Sequence, residues 1–85
     1  PPLSVSWEET TRGKALRIEV NGHHASFYPF ELEHPERVAA VAAISFWEGM
    51  AGLPPRSRFA RWRWHRGLRR LAREIEKEVR SQTVP

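Results

Sequence analysis

Asn21-Gly22 stands between two short segments of alternating polarity, and it constrains the fold of this chain more than any other dipeptide. Both residues tolerate the positive φ that a two-residue type I′ turn demands, so the chain on either side is expected to return on itself as an antiparallel hairpin. Before the turn, Leu16, Ile18 and Val20 alternate with Arg17 and Glu19, the period of a half-buried strand. A two-residue turn fixes the register: Val20 faces His23, Ile18 faces Ala25 and Leu16 faces Phe27. One side of the hairpin is then apolar, while Arg17, Glu19, His24 and Ser26 share the other. Leu3, Val5 and Trp7 alternate with Ser4, Ser6 and Glu8 in an earlier strand, and a turn over Thr10 to Lys14, containing Gly13, separates the two. Pro29 has no N–H for a ladder, so the third strand ends near it or lies at an edge. The expected strands cover about residues 3–8, 14–20 and 23–29.

The period then changes. His34-Pro35-Glu36 opens a helix, with Pro35 at its first position and Glu36 near the positive end of its dipole. Gly52 and Pro54-Pro55 end it, giving a helix over about 35–51. Arg37, Ser45 and Glu48 project as a narrow polar strip, with Ala39, Ala40, Ala43, Ile44, Phe46, Trp47 and Met50 around most of the rest. Such a helix is expected to be buried on most sides, wedged between the sheet and a last helix. That last helix covers about 56–80. Its core stripe is Ala60, Trp64, Leu68, Leu71, Ile75 and Val79, and Arg70–Glu74 and Glu76–Arg80 are spaced to pair. The ends, Pro1-Pro2 and Ser81 to Pro85, read as loose. The expectation is a single α+β domain over residues 1–85, a three-stranded antiparallel meander followed by two helices (βββαα).

Charge is divided unevenly between the two halves. Residues 1–55 carry four basic and seven acidic side chains, a net of −3, whereas residues 56–85 carry ten basic and three acidic, a net of +7. Between Arg56 and Arg73 there are eight arginines and no acidic residue. Like charges at i,i+4 repel on a helix, so this run points to a negatively charged partner. Projection on the helix separates its two tryptophans: Trp64 falls on the core stripe and Trp62 among the arginines of the far side.

Guanidinium forks match phosphate oxygens, and an aromatic among cations can stack on an unpaired base or anchor a protein contact. The favoured expectation is therefore a non-catalytic nucleic-acid-binding protein, for DNA or RNA. Arg58, Arg66, Arg69 and Arg73 would contact phosphates, Arg61, Arg63 and Arg70 would flank them, and Trp62 would stack or wedge. The alternative is a small accessory or inhibitor protein that docks on an acidic protein surface through the same face.

Other function classes find less in the sequence. The absence of cysteine excludes disulfides and thiolate metal sites and fits a cytoplasmic setting. No apolar stretch reaches the ~18–20 residues that span a bilayer, and the first residues show no basic region followed by an apolar stretch, so no signal peptide is expected. A basic amphipathic helix can lie on a membrane surface, but here its apolar stripe is needed to close the core. His23-His24 lacks converging ligands, so no metal is expected. His65 and the glutamates are not brought to one site by any spacing, and no Gly-rich phosphate loop or nucleophile motif is present, so neither catalysis nor a cofactor is expected.

Overall fold

A computed structural model describes residues 3–83. Three antiparallel strands, β1 (Leu3–Thr10), β2 (Gly13–Val20) and β3 (His23–Phe27), form one sheet in the order β1-β2-β3. A single 3₁₀ turn (Glu31–Glu33) leads into α1 (Pro35–Ala51), and α2 (Arg58–Thr83) completes the described chain. The architecture is the expected βββαα α+β domain.

The Asn21-Gly22 hairpin has the register its sequence dictates, with Val20 opposite His23, Ile18 opposite Ala25 and Leu16 opposite Phe27. Asn21 sits at φ 50° and Gly22 at φ 83°, the two positive values of a type I′ turn. The first hairpin is tighter than expected: pairing runs from Leu3–Val20 to Thr10–Gly13 and leaves only Thr11-Arg12 unpaired. Thr10 is the reason, because its Oγ1 accepts the Arg12 N–H (3.1 Å) and donates to the Gly13 carbonyl (2.7 Å). β3 stops two residues earlier than expected. The Tyr28 N–H donates to Glu31 Oε1 at 2.9 Å, and the Tyr28 carbonyl accepts from Glu31 N, turning the chain off the sheet before Pro29.

Leu16, Ile18, Val20 and Phe27 from the sheet meet Val38, Ala39, Ala42, Ala43 and Phe46 of α1 and Leu71, Ile75 and Val79 of α2 in one core. The expectation that α1 is wedged between sheet and last helix is not met. Both helices lie on the same face of the sheet, α1 over β3 and α2 over β1, and pack against each other. Each helix therefore buries one stripe, and the outer strip of α1 is open: Ala40 is exposed, Val41 is 60% exposed and Ile44 47%.

The helices run antiparallel. Arg80 near the end of α2 reaches Glu36 at the start of α1 (N···O 3.8 Å), while Trp64 lies against the far end of α1. At ~1.5 Å per residue α2 is about 39 Å long and α1 about 26 Å, so α2 cannot be covered along its whole length. Its first buried residue is Trp64, and the segment from Arg58 to Arg63 extends past the core. At the other end α2 continues to Thr83, beyond the expected stop at Arg80, with Thr83 Oγ1 donating to the Val79 carbonyl. Of the termini expected to be loose, Ser81 to Thr83 are thus helical, and Pro1, Pro2, Val84 and Pro85 lie outside the described residues.

Candidate nucleic-acid interface

Trp64 and Trp62 take the opposite positions that helical projection assigns them. Trp64 is 8% exposed, its Nε1 donates to the Gly52 carbonyl at 2.9 Å, and its ring meets Trp47 edge-on at 6.4 Å. These contacts lock the start of α2 to the end of α1. Trp62 is 52% exposed on the other side of the helix. One turn before it stands Phe59, 67% exposed, with ring centroids 6.1 Å apart and planes 27° from parallel. One turn after it the Arg66 guanidinium lies over the indole, 5.5 Å from the ring centroid.

Phe59 was not among the residues that sequence alone singled out. The signal was its i,i+3 spacing from Trp62 in a helix whose stripe lies elsewhere. Phe59, Trp62, Arg63, Arg66, Gly67, Arg70 and Arg73 line one shallow groove along α2. Arg58 and Arg69 are also exposed. Arg61 is held back, because its Nε and Nη2 donate to the Pro55 and Arg56 carbonyls (3.1 Å each) and fasten the connection between the helices.

Among the described residues, no carboxylate lies within ion-pair distance of any arginine from Arg56 to Arg73. Of the two expected helical pairs, Glu76–Arg80 forms, with Arg80 Nε donating to Glu76 Oε2 at 2.9 Å, and Arg70–Glu74 does not. Arg70 borders both this groove and a second one lined by Trp47, Met50, Leu71 and Glu74, and its acid is one turn toward the C-terminus, the weaker order for a helical pair. The first turn of α2 contains no acidic residue, so its arginines sit at the positive end of the helix dipole. Charge repulsion and dipole both oppose this arrangement, and an anion on the face relieves both.

Gly67, which lines this groove, also sets the close approach of the two helices. A Cβ there would collide with Cζ2 and Cη2 of the Trp47 indole, which packs directly on the α2 backbone. Gly67→Ala is accordingly expected to lower stability although alanine is the better helix former. Overpacking costs about 1–3 kcal/mol against a propensity gain of about 1 kcal/mol. A urea midpoint that rises would show that the two helices are not in close contact here.

A second aromatic pair, half-buried Tyr28 and exposed Phe30, lies beside the β1–β2 turn. Tyr28 and Phe30 stack with centroids 6.4 Å apart and planes 5° from parallel, beside Arg12 and Lys14. Glu31 borders the same surface, so its charge is mixed where that of the α2 face is of one sign. Among the described residues no three histidine or acidic side chains converge as metal ligands, and no helix is long and apolar enough to cross a membrane. No protein-family model, curated protein or solved structure matches this chain.

Proposed function

We propose that this protein binds nucleic acid, without catalysis, through the outer face of α2, in a cytoplasmic setting. The observation that supports this reading is the exposure of Trp62 on the same surface as unpaired Arg63, Arg66, Arg70 and Arg73. Arginine forks take phosphate oxygens bidentately, and each phosphate neutralised releases condensed counterions. Contacts of this type give affinity with little sequence preference, because the phosphate backbone is the same at every step.

The test is anisotropy of a labelled oligonucleotide against salt concentration. With four to six phosphates engaged, affinity should fall about 10²–10³-fold between 50 and 200 mM salt. Arg66→Ala and Arg69→Ala should each reduce the log–log slope by about 0.7–0.9. Absence of binding at low salt, or slopes unmoved by both substitutions, would defeat the proposal.

One observation favours the second reading, an acidic protein partner: Phe59 and Trp62 form an apolar pair of the kind that anchors protein interfaces. In that case Trp62→Ala costs more affinity than any single arginine. A pull-down from lysate with and without nuclease separates the readings, since a partner that survives nuclease treatment is a protein.

A further inference from the structure

We infer that the α2 face takes unpaired, single-stranded nucleic acid in preference to duplex, with bases stacked on the Phe59–Trp62 pair; this rests on the nucleic-acid reading above. The outer row of α2 divides into two chemistries along the helix. Phe59, Trp62 and the Arg66 guanidinium are three flat groups at i, i+3 and i+7, rising over about 10 Å. Arg69, Arg70 and Arg73 follow and extend the row to about 21 Å from Phe59.

Single-strand binding needs these same two components, an aromatic platform for base faces and a cationic track for the backbone. The rings of Phe59 and Trp62 lie 27° from parallel, and their 6.1 Å separation leaves no slot between them for a base. The pair is therefore a platform, and the exposed side of Phe59 and the indole edge are where a base can be added. The Arg66 guanidinium lies over Trp62 at 5.5 Å from the ring centroid, so it stands near a base added to this platform and near that base's phosphate.

A duplex has no use for this platform. Its base faces are covered by their neighbours, and its surface offers phosphates and sugars, which gain little from apolar rings. The location of the pair supports the same conclusion. Phe59 and Trp62 precede Trp64, the first buried residue of α2, and are 67% and 52% exposed, so ring surface is open to a splayed base.

The experiment uses the full chain and a labelled strand of about 12 nucleotides, alone and annealed to its complement, a length within the range single-strand sites occupy. The single strand is expected to bind at least about tenfold more tightly, as one stacked base would supply. The double variant F59A/W62A should abolish that preference and leave the salt slope unchanged, since it removes no charge. F30A, at the mixed-charge aromatic pair, should change neither quantity. Equal or tighter duplex binding with a steep salt slope overturns the single-strand inference and leaves the phosphate reading standing. Failure of both forms to bind at low salt overturns the two together. A preference that survives F59A/W62A places the stacking elsewhere and overturns the assignment to this pair.

Discussion

Trp64→Ala should lower the free energy of unfolding by about 3–5 kcal/mol, the cost of deleting a large buried aromatic. Trp62→Ala, two residues away, should cost about 1 kcal/mol or less, because its stack on Phe59 and its contact with Arg66 are both solvent-exposed. The contrast follows from position alone. Trp64 is 8% exposed, fills the junction of α1 and α2 and satisfies the Gly52 carbonyl. A domain of 85 residues has about 4–13 kcal/mol in total, so Trp64→Ala can consume most of it. Trp64→Phe is the companion variant: it keeps a ring in the junction and removes the Nε1 donor, so its cost combines a hydrogen bond worth about 1 kcal/mol with the lost ring volume. Urea denaturation of the three variants checks the order. A Trp62 variant as unstable as the Trp64 one would mean that the exposed face is part of the core, and the candidate interface would be lost with it.

How far the sequence reveals this fold depends on how sharply each element declares its faces. The β2–β3 register is fully legible, because a two-residue turn locks the phase and a slip of one residue would reverse every side chain. The β1–β2 turn is less so. Thr10 reads as a turn residue, and only its side-chain bonds to Arg12 and Gly13 bring it into the strand. α1 is misread for a physical reason: alanine fits a buried or an open face equally well. Ala39, Ala42 and Ala43 are buried and Ala40 is exposed, and the choice is made by where α2 lies, which local pattern does not encode. In α2 large apolar residues define the stripe, and the placement of Trp62 and Trp64 follows. What remains hidden is set by the connection between the helices. Its return path engages Arg61 through two carbonyls and leaves Phe59 uncovered, and both outcomes depend on contacts across the Pro55–Ser57 loop.

The triple variant R66Q/R69Q/R73Q should bind nucleic acid roughly 10²–10³-fold more weakly at 0.1 M salt, with a salt slope smaller by about 2–3. The same variant should be as stable as the parent or more so, by up to about 2.5 kcal/mol. The gain has a specific origin. Arg66, Arg69 and Arg73 stand at i,i+3 and i,i+4 spacing from one another and from Arg63, Arg70 and Lys77, with no carboxylate paired to any of the three. Each like-charged neighbour removed relieves about 0.2–0.5 kcal/mol, partly offset by the lost Arg66–Trp62 contact, itself about 0.5–1 kcal/mol. Weaker binding alone could follow from damage to the fold, and greater stability alone would follow from any relief of surface repulsion. Measured together on one variant, they separate a face kept for a ligand from one that supports the structure. If stability falls with affinity, the arginines belong to the architecture of α2 and the charge run requires no anionic partner. If affinity falls while stability holds or rises, the free energy that opposes this charge cluster in the free protein is offset in the complex.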